Sequence, residues 1–269
     1  DFYHQNTFEF SIKDAQREHY LVEYQYRILP CAMPEDDWEL YKTFSREIVQ
    51  LQHTLEQEDN EKEQLRLRQR IEGRYRDRAK LLKKNDQKAQ TLQTIFDEIP
   101  PTARVLIYGD DLHHLAEIGQ ALDHMGKYYF KYTGELDAQK ERPTILKEFR
   151  QGIRKILLAV GCLDEGIDIP ACDVAVFISS STSERQFIQR RGRVLRVAPG
   201  KTSAWIYDYL VYPILSARTN DDERRLALSM IDAQYRRINL MVEDAINGIQ
   251  ERQKLDQFLS QRRLNPYDF

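Results

Sequence analysis

The sequence is poor in the features that mark several common classes of protein. Three cysteines, Cys31, Cys162 and Cys172, are spread over 269 residues, too few and too far apart for a disulfide framework or a C-x-x-C zinc ribbon. This sparing use suits a reducing compartment, and a cytoplasmic location is expected. The longest purely apolar runs, such as Ile156–Val160 and Val174–Ile178, fall far below the roughly 20 residues needed to cross a bilayer, so no membrane partner is expected. A net charge of only −3 excludes a histone-like binder and leaves room for a local basic groove. G-x-S-x-G is missing, and the adjacent His113 and His114 point apart on a helix with no further ligand at metal spacing, so no metal site is expected in this chain. A phosphate-binding loop, G-x-x-x-x-G-K-[ST], is missing too. Gly200-Lys201-Thr202 imitates its end, but Leu195 stands where the first glycine is needed, and a helix and Pro199 precede it instead of a strand. The chain opens on Asp1-Phe2-Tyr3-His4, without an initiator Met or signal pattern, as expected of a piece of a longer protein.

What is present divides the chain into four stretches. With 41% hydrophobic and 31% charged positions, it has enough apolar residues for one large domain, or a modest domain with appendages. Residues 1–34 alternate apolar and polar positions, as in Leu21–Leu29, which predicts extended structure. Pro34 with Glu35, Asp36 and Asp37 starts a helix. Over residues 35–100 two apolar stripes, Trp38, Tyr41, Phe44, Ile48, Leu51, Leu55 and then Leu65, Ile71, Tyr75, Ala79, Leu82, predict two antiparallel helices forming an arm. Residues 101–214 alternate short apolar runs (Val105–Tyr108, Tyr128–Tyr132, Ile156–Val160, Val174–Ile178, Ala204–Tyr209) with helical patterns, which predicts a parallel sheet covered by helices. Residues 215–269 read as a helical extension, with Asn220-Asp221-Asp222 as candidate caps.

Three segments carry chemistry. Gln189-Arg190-Arg191-Gly192-Arg193-Val194-Leu195-Arg196 follows a strand and a Ser/Thr-rich turn in which Ser181 and Glu184 have capping-box spacing. On a helix Gln189, Arg193 and Arg196 share one face, and two guanidiniums aimed across a sheet edge suit a phosphate with several charged oxygens. A solvated basic helix end is the plain alternative. The run Leu158–Pro170 leaves a strand and carries Gly166 and the carboxylates Asp164, Glu165 and Asp168, which places it at the carboxyl edge where ligands bind open α/β sheets; a capped turn is the simpler reading of it alone. Tyr132-Thr133-Gly134-Glu135, just past another strand, offers a hydroxyl and an open backbone N–H to a phosphodiester.

In this order and on these elements, the segments resemble the C-terminal RecA-like lobe of superfamily 2 helicases and translocases, over about residues 104–210. Arg104–Asp110, Tyr132–Gly134, Ala159–Pro170 and Gln189–Arg196 correspond to successive motifs of that family. The resemblance implies a RecA-like parallel sheet flanked by helices, with an N-terminal helical arm and a C-terminal helical extension. It implies that Arg193 and Arg196 are arginine fingers for the γ-phosphate of ATP, that Gln189 couples to the opposite lobe, that Asp168 meets the ribose and that Gly166 lies close to the nucleotide. Thr133, Gly134 and the Val160 position would follow a nucleic-acid backbone. The partners implied are an N-terminal RecA-like lobe of the same protein, which would bring the phosphate loop and Mg2+, and DNA.

Two departures tilt the resemblance towards DNA. Val160-Gly161 stands where many members have Thr-Asp, and Leu195 replaces the glycine of the RNA-helicase version. Phe10–Ala15 followed by Tyr20–Tyr24 is similar to the inter-lobe connection of restriction-type DNA translocases. The expected role is therefore the second motor lobe of an ATP-dependent DNA helicase or translocase, inactive alone. The rivals are an RNA helicase lobe of the same fold and a helicase-like docking module without catalysis. The basic second arm helix reads as a solvated face, with a DNA-tracking surface as the sharper alternative.

Overall fold

A computed structural model describes residues 11–85, 87–136, 139–160, 171–179, 184–265 and 267. Six strands form one sheet in which every neighbouring pair is parallel: β1 (Glu23–Met33), β2 (Val105–Tyr108), β3 (Phe130–Tyr132), β4 (Ile156–Ala159), β5 (Val174–Phe177) and β6 (Ser203–Pro213), in the order β1-β6-β5-β2-β4-β3. Every residue of β2, β4 and β5 is buried, as required of strands covered on both faces. Alternate residues feed two cores. Leu106, Tyr108, Leu157, Ala175 and Phe177 join Phe149 of α7 (Glu141–Arg150), Phe187 of α8 (Glu184–Val194) and Ile231 and Tyr235 of α9 (Asp221–Val242). Val105, Ile107, Leu158, Val174 and Val176 join Leu92 and Ile95 of α5 (Leu92–Glu98) and Leu115, Ile118 and Leu122 of α6 (Leu112–His124). The two short helices left are α1 (Ile12–Arg17) and α4 (Gln87–Gln90).

The opening segment is part of this sheet. β1 runs along β6 from Glu23↔Ser203 to Met33↔Pro213, and its Tyr24 and Tyr26 are fully buried. At the far edge the third strand is shorter than its apolar run, because Tyr128 lies 91% exposed beyond the Gly126 turn, whose φ is +64°.

The arm is a hairpin of α2 (Glu35–Glu56) and α3 (Glu61–Lys83). Asn60 caps α3 by accepting from the Lys62 and Glu63 amides. Trp38, Tyr41 and Ile48 are buried as their stripe predicts, but on α3 the buried pair is Leu67 and Ile71, and Leu65 is 57% exposed. The row facing α2 continues through Arg74, paired with Glu47, and Arg78, stacked over Tyr41 and donating to Ser45 Oγ at 3.2 Å. Arginine stems thus fill inter-helix space that the sequence assigned to Tyr75 and Ala79.

α9 is capped by Asn220, which accepts from the Glu223 amide at 2.9 Å. Its stripe holds as far as Val242, where the helix stops, so Ile249 is exposed on α10 (Gly248–Gln261). Gly248 sits so close to the Val242 carbonyl that a Cβ would collide with it. Among the described residues no helix is long and apolar enough to cross a membrane.

Candidate functional site

The strands deliver one group of candidate residues to the carboxyl edge of the sheet. Tyr132 and Tyr108 both lie beside Ala159, so Thr133, Val160 and Gly109 follow their strands side by side. The row is tied by hydrogen bonds from the Gly109 amide to the Ala159 carbonyl at 2.9 Å and from the Ser179 amide to the Tyr108 carbonyl at 3.2 Å. Thr133 is buried, Val160 is half-buried and Gly134 is exposed, its carbonyl accepting from Arg142 Nη2 at 2.8 Å. Gly166 and Asp168 lie outside the described residues, as do Ser181 and the rest of the turn before α8.

The arginine pair is not on that edge. α8 leaves the carboxyl end of β5 and runs back against the strands for its 11 residues, about 16 Å at helical rise. Gln189, midway, is exposed. Arg193 (half-buried) and Arg196 (exposed) stand at the amino edge, where Arg196 bridges to Leu21 and the Leu195 carbonyl accepts from the Val22 amide at 2.8 Å, just before β1. The sequence reading had gathered both groups around one ligand-facing rim. Parallel strands require their connecting helix to return, and that return separates them.

The end of α8 is fastened from several sides. Lys201, 8% exposed, donates its ammonium to the carbonyls of Val194 and Arg196, so the lysine of the false phosphate loop caps the arginine helix. Arg191, 5% exposed, donates from Nη1 to the Leu240 carbonyl at 2.7 Å, to Asp244 Oδ2 at 3.1 Å and to Tyr24 Oη at 3.4 Å. Burial pushes the Tyr24 phenol up to about 12, and its hydroxyl donates to the Met241 carbonyl. Sequence reasoning passed over Arg191 and Lys201. For Arg191 a signal was there: Phe187, Arg191 and Val194 share a row, and both apolar members of it are buried. Arg104, at the start of β2, grips Asp173 with Nε and Nη2, both at 2.8 Å, and so joins the starts of β2 and β5.

The arm is rooted on the carboxyl edge. Lys83 pairs with Asp110 at 2.8 Å and Lys84 with Asp111. Lys88, 2% exposed, donates to the carbonyls of Leu82 (2.6 Å), Ile178 (2.9 Å) and Lys83 (3.3 Å), and burial pulls its pKa down to about 7. His114 Nδ1 meets Ser179 Oγ at 2.8 Å; burial, then the charge of Lys88, lowers its pKa to about 4 and leaves it neutral at pH 7. Among the described residues no group of three or more His, Cys, Asp or Glu is placed to hold a metal ion.

Residues 87–198, from α4 to the turn after α8, match the family model of the helicase conserved C-terminal domain. Over that stretch the chain is similar to helicase C-terminal domains. Relatives include a Dicer-like protein 2-1 of Aspergillus niger, 47% identical over 58 residues, which is 22% of this chain and 4% of that protein. Another is a DNA 3'-5' translocase XPB2 of Sulfurisphaera tokodaii, 41% identical over 56 residues, 21% of this chain and 13% of that protein. The matches therefore span a small part of each relative's length. Among solved structures, the C-terminal part of the Fun30 ATPase domain has a TM-score of 0.53 at 11% identity, covering 80% of this chain and 99% of that one. At this identity the likeness is one of fold, the RecA-like sheet that helicase C-terminal domains share.

Proposed function

We propose that this helicase C-terminal domain is the second motor lobe of an ATP-dependent DNA helicase or translocase. One observation carries the reading: Arg193 stands in the last turn of α8 and Arg196 two residues past it, and the carbonyls of Val194, Leu195 and Arg196 are held by Lys201 and the Val22 amide. Charged groups that act on a developing phosphate charge work best when held in place beforehand. In this reading both guanidiniums neutralise charge on the γ-phosphate of ATP carried by a companion N-terminal RecA-like lobe. That lobe supplies the phosphate loop and Mg2+, and the bound triphosphate supplies the phosphoryl group that hydrolysis releases. Gln189 links α8 to the companion lobe, while Gly166 and Asp168 contact the nucleotide. The chain holds half of the nucleotide site, so alone it neither hydrolyses ATP nor binds it tightly.

The two sheet edges then divide the work. The arginine end faces the nucleotide, while Thr133, Gly134 and the backbone at Val160 follow the nucleic-acid strand on the carboxyl edge, about 16 Å of helix away. Lobe closure around ATP shifts the grip on the strand. Val160-Gly161 and Leu195 favour DNA, as does the match to a DNA translocase; the match to Dicer-like proteins makes RNA the necessary comparison. The proposed organisation is a connecting segment (1–34) that lends β1 to the sheet, the arm (35–100), the lobe (101–214) and the extension (215–269), in a cytoplasmic protein.

The test is ATP turnover by a protein carrying this chain with its companion lobe, with single- and double-stranded DNA and with RNA. DNA should stimulate more than RNA, and Arg196→Ala should lower turnover by about 10³–10⁵, the usual worth of an arginine finger. Unchanged turnover in Arg193→Ala and Arg196→Ala would overturn the reading, and stronger stimulation by RNA would move it to the RNA branch of the family.

A further inference from the structure

α3 carries nine basic and four acidic residues in a chain whose net charge is −3. The basic residues are not scattered evenly around it. Lys62, Arg66, Gln69, Gly73, Arg76, Lys80 and Lys83 follow one another at alternating steps of four and three, which is a single straight row along the helix. The row lies opposite Leu67, Ile71, Arg74 and Arg78, the residues that face α2. It contains five positive charges, no acid and no apolar side chain; Lys62, Arg66, Gln69, Arg76 and Lys80 are exposed. From Lys62 to Lys83 it spans about 32 Å at helical rise.

Three members of the row have acidic neighbours. Arg66 pairs with Glu63 at 2.9 Å, Lys80 approaches Asp77 at 3.9 Å, and Lys83 reaches Asp110 at 2.8 Å. The first two pairs are exposed and hold their cations only weakly. The third is informative about place, because Asp110 belongs to the carboxyl edge beside Thr133 and Val160. The row thus begins at the strand-end residues read as a nucleic-acid track and runs outward from them. Gly73 lies at its centre. Gly73 is half-buried beside the groove it lines with Glu47, Gln50 and Thr54 of α2, and a Cβ there would meet nothing within 4 Å among the described residues.

From these observations we propose that the outer face of α3 is a second DNA contact, a straight basic rail that takes the phosphate backbone of a duplex leaving the carboxyl edge of the lobe. The inference rests on the reading of that edge as a DNA track. The complementary chemistry is phosphate: a straight row laid along a duplex crosses each winding backbone about once per turn, and the length of the row is close to that turn, about 34 Å.

The test is binding of the 269-residue chain to a 30-base-pair DNA duplex, followed by fluorescence anisotropy over a range of salt. Arg66→Gln with Arg76→Gln removes two charges from the row; Arg68→Gln with Arg70→Gln removes two from its flanks and serves as the matched control. The row pair should weaken binding at least fivefold and reduce the salt slope by about 1.8, at about 0.9 per lost phosphate contact, while the flank pair costs less than twofold. Gly73→Leu should lower affinity without lowering Tm, an effect that a purely structural glycine would not produce. Equal losses from both pairs, no loss from either, or displacement of the duplex by polyglutamate as effective as by unlabelled DNA would overturn the rail. ATP turnover of the two-lobed protein with Arg193→Ala separates this failure from failure of the motor reading, since only the latter predicts that turnover survives the substitution.

Discussion

Replacement of Lys201 by Met isolates the fastening at the end of α8. Lys201 is 8% exposed, and its ammonium donates to the carbonyls of Val194 and Arg196. Hydrogen bonds from a charged donor contribute about 1.5–3 kcal/mol each, and an orphaned buried carbonyl costs about 1–3 kcal/mol. Release of the buried charge from its desolvation penalty offsets part of that loss. Arg196 is also at the surface, where water can replace the bond, so the net cost should be about 1–3 kcal/mol. In a domain of this size that lowers Tm by roughly 2–4 °C per kcal/mol. The loss should be local. Hydrogen exchange should quicken at the Leu195 and Arg196 amides, which bond to Arg191 and Arg193, while β2 and β5 keep their protection. In the two-lobed protein, kcat should fall tenfold or more with little change in KM for ATP, because the nucleotide's principal contacts belong to the other lobe. Lys201→Arg, which keeps a donor there, should recover part of the loss. Wild-type exchange at Leu195 and Arg196, together with wild-type kcat, would show that the cap does not hold the arginines.

Other substitutions probe the neighbouring contacts. Asp244→Ala leaves the Arg191 guanidinium buried with, among the described residues, the Leu240 carbonyl and the Tyr24 hydroxyl, and should cost about 3 kcal/mol, the low end for a broken buried pair, measured by urea unfolding. Gly248→Ala should cost more than the usual helix substitution, since the new methyl meets the Val242 carbonyl; a Tm within 1 °C of wild type, well inside the roughly 2–4 °C per kcal/mol expected here, would contradict this close approach. Because His114 has a folded pKa of about 4 against an ordinary imidazole value of 6.5, the unfolded chain binds more protons between these values. Stability should therefore fall by up to about 3 kcal/mol from pH 6.5 to 4, and His114→Gln should flatten that slope. For Lys88, with a folded pKa of about 7 against 10.5, the same linkage makes stability rise with pH between 7 and 10.5, and Lys88→Met should remove that rise.

The sheet was legible in the sequence because strands buried on both faces must be continuously apolar: the runs Val105–Tyr108, Ile156–Val160 and Val174–Ile178 are read as strands, and β2, β4 and β5 lie within them. Leu21–Leu29 was legible as extended structure but not as a partner for β6, since pairing 180 residues apart leaves no local trace. The arm's existence followed from its helix formers and its stripes, while the register of α3 did not, because Arg74 and Arg78 pack through stems that a hydropathy pattern counts as polar. Among the candidate residues, spacing placed Gln189, Arg193 and Arg196 on one helix; Gln189 and Arg193 are on α8, whereas the helix ends at Val194 and Arg196 bridges to Leu21 beyond it. Their separation from Thr133 and Val160 is a property of the crossover, visible only once the strand order is known. The supporting contacts of Lys201, Arg191 and Lys88 join residues to distant carbonyls, and no spacing rule announces such bonds.

The central claim is that two guanidiniums at the end of α8 complete a nucleotide site begun on another lobe. Single-turnover hydrolysis of ATP by the two-lobed protein, with DNA saturating and Arg193 replaced by Ala, tests it most directly. The predicted result is a chemical step slowed by about 10³ or more with nucleotide still bound. A chemical step at the wild-type rate would contradict it.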